Sequence, residues 1–144
     1  MLVSQILKSK GSEGVVTVSP SLTVARAAEM LSQKKIGALV ISEDGQTLAG
    51  IVSERDIVRE IGRRGADCLT ESVKSIMTAR VVTCTRSEAT DNVLQTMTDG
   101  RFRHVPVVED GVLIGLISIG DVVKARLSEL SMEKDALEGM IKGF

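Results

Sequence analysis

The chain has no tryptophan and no tyrosine, and Phe102 and Phe144 are its only aromatic residues. It therefore offers no platform on which the bases of a single-stranded nucleic acid could stack. Cysteine is as scarce. Cys68 and Cys84 stand apart, without C-x-x-C spacing or clustered histidines, so neither a disulfide framework nor a zinc site is indicated, and both read as reduced, partly buried thiols. The single histidine, His104, has no second ligand at metal spacing. Charge of one sign is also missing: 18 basic and 19 acidic residues leave a formal net charge of -1. No general affinity for nucleic acid or membrane follows from that balance, and any anion site must be local. No apolar run approaches the roughly 20 residues that span a bilayer. The opening MLVSQILKSKGSEG lacks the charged start and long apolar centre of a signal peptide, so the expected compartment is the cytoplasm. Catalytic motifs are absent as well. There is no Walker A loop, no G-x-G-x-x-G after a strand, no H-E-x-x-H and no nucleophile with a base nearby in sequence, and no enzyme is expected.

What the chain does have is 43% apolar residues, enough for a core, and a repeated phrase. GIVSERDIV, Gly50 to Val58, returns as GLISIGDVV, Gly115 to Val123. With a one-residue slip in the preceding turn the match runs far upstream. ALVISEDGQTLAGIVSERDIV lies over HVPVVEDGVLIGLISIGDVV, VVTVSPSLTVARAAEML over VVTCTRSEATDNVLQTM, and VSQILKS echoes VKSIMTA. The chain is one unit of about 65 residues written twice, 1–66 and 67–144. Two copies are too few for a solenoid, where roughly three or more are needed, so two halves packed about a pseudo-twofold axis are expected.

Each copy predicts a short helix, a strand, a helix, two strands and a helix. In the first, Ser21 and Thr23 offer N-caps to a helix with Val24, Ala27, Ala28 and Leu31 on one face. Lys34 and Lys35 suit its C-terminal dipole, and Gly37 stops it. Ala38 to Ile41 and Leu48 to Val52 are apolar runs joined across Glu43-Asp44-Gly45, which predicts paired strands, and Glu109-Asp110-Gly111 repeats the turn. Pro106 sits inside the matching run of the second copy and cannot donate to a ladder, which predicts an edge or an unpaired side.

Ser53-Glu54-Arg55-Asp56 and Ser118-Ile119-Gly120-Asp121 stand where a strand hands over to a helix. Both match a capping box, which needs no ligand. A helix N-terminus is also where phosphate binds, and an outward carboxylate accepts two hydrogen bonds from a ribose diol. The spacing leaves both readings open, and the short Asp in place of the usual Glu favours the ligand.

The repeated G-h-x-S-x-x-D after paired strands, the h-T-h strand before it, and RFRHVPVVEDGVLIGLIS together resemble a tandem CBS-domain protein over essentially the whole chain. The resemblance implies two β-α-β-β-α repeats in one α+β module, two clefts that bind adenosyl ligands, and dimerisation of modules. Carried over position by position, it implies that Asp56 and Asp121 accept from ribose hydroxyls and that Ser53 and Ser118 touch phosphate or ribose oxygens. Thr17 and Thr83 would line the clefts beside the base. Ala38 and Leu39 in one copy, and His104, Val105 and Pro106 in the other, would contact adenine. Arg55, Arg101 and Arg103 are the phosphate candidates, because guanidinium pairs bidentately with phosphate oxygens. Quieter readings stand beside these: Arg101 and Arg103 as a solvated face, Arg63 and Arg64 as helix-end cations, Thr17 and Thr83 as ordinary strand residues. The clefts cannot be identical, since Glu54-Arg55 answers to Ile119-Gly120.

The helix from Asp121 onward carries Val123, Leu127, Leu130, Leu137 and Ile141 on one apolar face and outlasts its counterpart. A homodimer is expected from that face, the competing expectation being that the tail folds back on its own module. The function expected from the resemblance is a sensor binding AMP, with NADH, ADP, ATP and S-adenosylmethionine as alternatives, and acting on an unidentified protein partner. The competing class is an unliganded scaffold whose Ser-x-x-Asp motifs only cap helices.

Overall fold

Apolar periods of two and of 3.6 residues resolve into a helix, two paired strands and a helix in both copies. A computed structural model describes residues 1–11 and 15–142. The first copy carries α1 (Val3–Ser9), β1 (Thr17–Val18), α2 (Val24–Lys34), β2 (Ala38–Ile41), β3 (Gly50–Ser53) and α3 (Glu54–Arg64). Two 3-10 turns, Ala66–Thr70 and Val73–Ser75, lead to α4 (Thr90–Gly100), β4 (His104–Glu109), β5 (Val112–Ser118) and α5 (Ile119–Ile141). The short helix expected at the head of the second copy is therefore only the turn at Val73–Ser75.

The sheets are small, as in an α+β fold. β1 runs parallel to β2 with Thr17 opposite Val40, and β3 runs antiparallel to β2 with Ala38 opposite Ser53 and Ile41 opposite Gly50. β4 and β5 pair in a separate sheet. The strand before α4 shrinks to one bridge between Cys84 and Val107. Proline explains the difference. Val40 donates its amide to the Val16 carbonyl at 3.4 Å, whereas the aligned Pro106 has no N–H and only accepts, from Cys84 at 3.0 Å.

Thr23 is the cap of α2, its hydroxyl accepting from the Arg26 amide at 3.2 Å, while Ser21 turns to the Ser19 hydroxyl instead. The helix does not run to Gly37. It stops at Lys34 because Lys35 takes the left-handed conformation, φ 54°, and its repeat equivalent Arg101 does the same after α4, φ 57°. The β4–β5 hairpin closes through Asp110 and Gly111, both at positive φ, the two-residue turn whose twist suits paired strands. The first copy has one residue more here. Its loop spans 42–49, taking in Leu48 and Ala49 that were expected in a strand, and is tied by Asp44, whose carboxylate accepts from the Gln46 and Thr47 amides and the Ser42 hydroxyl. Those bonds, the Thr47 amide foremost, hold the Asp44 carboxyl well below the usual range.

Contacts divide the chain into two compact units, Gly14–Val82 with Val108–Ile114, and Met1–Glu13 with Thr83–Val107 and Gly115–Phe144. The segment ahead of each copy thus belongs to the unit of the other. Val3 and Ser4 donate to the carbonyls of Glu88 and Arg86, and their repeat equivalents Val73 and Lys74 donate to those of Leu22 and Pro20. The buried residues match position by position. Val24, Ala27, Leu31, Leu39, Ile41, Val52, Ile57 and Val73 form the core of one unit; Thr90, Val93, Met97, Val105, Val107, Ile117, Val122 and Val3 are buried in the other.

Both thiols are free and fully buried rather than partly so. Burial pushes Cys84 up to about 12, so it is no reactive thiolate. No described helix is long and apolar enough to cross a membrane.

Candidate functional site

Each Ser-x-x-Asp motif forms a strand-to-helix corner with the same internal bonding. The Ser53 hydroxyl accepts from the Asp56 amide at 3.2 Å, and Asp56 Oδ2 accepts from the Ser53 amide at 2.8 Å. At the second corner the Ser118 hydroxyl accepts from the Asp121 amide at 3.1 Å, and Asp121 Oδ2 accepts from the Ser118 amide at 2.9 Å. These are complete capping boxes. The first helical amide of each corner is also taken: Glu54 donates to the Gly37 carbonyl and Ile119 to that of Arg103, at 2.9 and 2.8 Å. Among the described residues no partner reaches the amides of Arg55 and Gly120.

These bonds gather many of the expected residues. In one unit, the Glu54–Gly37 bond and the Ala38–Ser53 pairing bring the start of β2, with buried Ala38 and Leu39, against the corner of Ser53, Arg55 and Asp56. In the other, the Ile119–Arg103 bond sets the start of β4, with His104 and the buried Val105 and Pro106, beside Ser118 and Asp121. Thr17 lies in β1, on the side of β2 away from β3. Thr83 is exposed, one residue before the Cys84 bridge to β4. Arg55, Arg101 and Arg103 are all exposed, Arg101 as the left-handed residue that ends α4.

The carboxylates differ in their cations. Asp56 Oδ1 accepts from Arg59 one turn along the same helix, at 2.6 Å. Asp121 Oδ2 instead meets Lys10 Nζ at 2.8 Å, from the segment after α1, and the same ammonium donates to the Leu116 carbonyl at 2.8 Å. Neither Lys10 nor Arg59 was expected. Lys10 had a signal: carrying the VSQILKS and VKSIMTA match one residue further pairs it with Arg80, a basic residue in both copies.

Burial alone would raise the Asp121 carboxyl, but Lys10 and the Ser118 amide outweigh it and hold the group below its ordinary value. A depressed carboxyl stabilises the fold above its unfolded pKa, about 3.9, and the contribution is lost as pH falls through the lower folded value. Asp121→Asn should therefore be less stable than the unaltered chain at pH 7, with the two urea midpoints converging as pH drops below that range. A gap that persists at the lowest pH would mean that the charge contributes nothing.

A family model for the CBS domain matches residues 3–63 and 73–128. The mitochondrial CBS domain-containing protein CBSX3 of Arabidopsis thaliana is 37% identical over 148 residues, covering 98% of this chain and 72% of its own. Among solved structures, the CBS-domain protein ATU1752 of Agrobacterium tumefaciens superposes with TM-score 0.83 at 47% identity, over 88% of this chain and 99% of that one. The CBS domain protein PAE2072 of Pyrobaculum aerophilum, complexed with AMP, matches at TM-score 0.77 and 26% identity, over 92% and 99%. The CBS domain pair of protein MJ0100, complexed with 5′-methylthioadenosine and S-adenosyl-L-methionine, matches at TM-score 0.78 and 25% identity, over 90% and 98%.

Proposed function

Because the chain belongs to the CBS-domain family, we propose that it is a regulatory module that binds an adenosyl ligand at its Ser-x-x-Asp corners and catalyses nothing. The observation that carries this reading is that both corners seat an aspartate at a helix N-terminus beside an apolar strand start, in a fold whose relatives hold AMP, 5′-methylthioadenosine and S-adenosylmethionine. AMP is the first choice, since one phosphate suits a few local cations; NADH, ADP, ATP and S-adenosylmethionine follow. Asp56 and Asp121 take the ribose hydroxyls, Ser53 and Ser118 the neighbouring oxygens, and Arg55, Arg101 and Arg103 the phosphate. Thr17 and Thr83 line the two clefts beside the base, with Ala38 and Leu39 contacting adenine in one copy and His104, Val105 and Pro106 in the other. The module works in trans on a protein partner, in the cytoplasm.

The test is thermal unfolding by circular dichroism after the protein has been unfolded and refolded to strip carried-over nucleotide. A ligand at 100 times its dissociation constant stabilises by about 2.7 kcal/mol, a shift of several degrees. No shift with any of the five compounds leaves the scaffold reading, which the complete capping boxes favour, since they account for all four motif residues without a ligand.

We assign the module to a homodimer as well. Val58 of α3 and its repeat equivalent Val123 of α5 are 69% and 43% exposed, and Leu127, Leu130, Leu137 and Ile141 continue an uncovered apolar stripe along α5. Uncovered apolar area of this kind marks an interaction surface. Sedimentation velocity at micromolar concentration should give twice the chain mass, and a monomer would remove this assignment.

A further inference from the structure

The second corner lacks the basic residue that the first carries at its helix start, Ile119-Gly120 standing where the first has Glu54-Arg55. Lys10 fills that gap from far away in sequence. Its ammonium has three donors, and two are spent, on Asp121 Oδ2 and the Leu116 carbonyl. The side chain is 43% exposed, and that of Asp121 only 24%. The carboxylate is thus seated and largely covered, while its cation reaches the surface with a donor unspent. Among the described residues Asp121 Oδ1 has no hydrogen bond, leaving one oxygen open to a sugar diol. At the first corner, Arg59 occupies the corresponding oxygen of Asp56. Arg80, the repeat equivalent of Lys10, is exposed and makes no ion pair among the described residues. The two carboxylates are therefore neutralised by different elements.

We propose that Lys10 is the phosphate-selecting residue of the Asp121 corner, making it favour a nucleoside 5′-monophosphate over the uncharged nucleoside. This deepens the adenosyl-binding reading and rests on it. An ionised Asp121 with no cation beside it attracts a ribose hydroxyl but repels the phosphate carried on the same sugar. Lys10 cancels that repulsion and offers its remaining N–H to a phosphate oxygen, a charge-assisted bond of the stronger kind.

The test is calorimetric titration of AMP and of adenosine into the nucleotide-stripped protein, its Lys10→Met variant and its Lys10→Arg variant, each checked for folding by circular dichroism. Lys10→Met should weaken AMP at the Asp121 corner by about 10-fold or more, the usual worth of a hydrogen bond to a charged group. Adenosine should stay within about 2-fold, and Lys10→Arg should retain the preference for AMP. Equal losses for AMP and adenosine would reduce Lys10 to a prop for Asp121 and overturn the proposal, as would no loss for either. If the unaltered protein binds neither compound, the adenosyl-binding reading falls and this proposal with it, an outcome distinct from binding without selectivity.

Discussion

Gly50→Ala should lower stability by about 1–3 kcal/mol, the range for forcing an extra carbon into a filled interior. A Cβ on Gly50 would lie 2.6 Å from Met77 Sδ and 2.8 Å from the Thr78 carbonyl oxygen. Met77 is flexible and can turn away. The carbonyl cannot, because Thr78 and Ile51 exchange both backbone hydrogen bonds, at 3.0 and 2.9 Å, and moving it breaks that bridge. For Gly115, the equivalent in the second copy, the nearest atoms to such a Cβ all belong to the Leu7 side chain. Since a leucine tip can shift to another rotamer, Gly115→Ala should cost less than Gly50→Ala. Gly62, in α3 with nothing within 4 Å of a Cβ, is the control, and Gly62→Ala should stabilise by about 0.5–1 kcal/mol. Urea midpoints at constant slope give all three values. Equal midpoints for Gly50→Ala and Gly62→Ala would show that the exchanged segment does not press on β3.

The glycine that opens both nine-residue phrases has its reason in that exchange, which local patterns do not contain. Helical and strand periods placed α2 and β2, and the doubled Ser-x-x-Asp placed both corners, because these signals lie within a few residues of one another. Ends of elements were less legible. Gly37 looked like the stop for α2, but Lys35 takes the left-handed position at the cost of about 1–2 kcal/mol that it carries for a residue with a Cβ. The extra residue in the first hairpin shortened β3 because Asp44 gathered the loop around its own carboxylate. Lys10 and Asp121 are 111 positions apart; nothing in either neighbourhood names the other, and only the repeat, read one residue further, marks both Lys10 and Arg80. The basic residues that looked most like phosphate ligands, Arg55, Arg101 and Arg103, stand exposed, whereas the cations held against the carboxylates are Arg59 and Lys10. A sequence shows where charge is abundant but not which charge the fold brings to a buried acid.

Asp121→Ala should lower nucleotide affinity at its corner by about 1.5–3 kcal/mol, the worth of hydrogen bonds to a charged acceptor. Because Asp121 Oδ2 also caps α5, the same substitution should cost about 0.5–2 kcal/mol of stability with or without ligand. The two effects separate through Asp121→Asn, whose amide oxygen still accepts from the Ser118 amide but carries no charge. That variant should recover most of the cap and little of the affinity, since a neutral acceptor is worth only about 0.5–1.5 kcal/mol. Asp56→Ala should behave alike at its own corner, with one difference. A ribose there must displace or share Arg59, whose side chain is 59% exposed while that of Asp56 is only 12% exposed, and breaking a half-buried pair costs more than the about 0–1 kcal/mol of a fully exposed one. The first corner should thus bind more weakly than the second on that account, and each single variant should leave the other corner's binding intact in a calorimetric titration. If all three substitutions move the unfolding midpoint and none moves the affinity, the aspartates are caps alone.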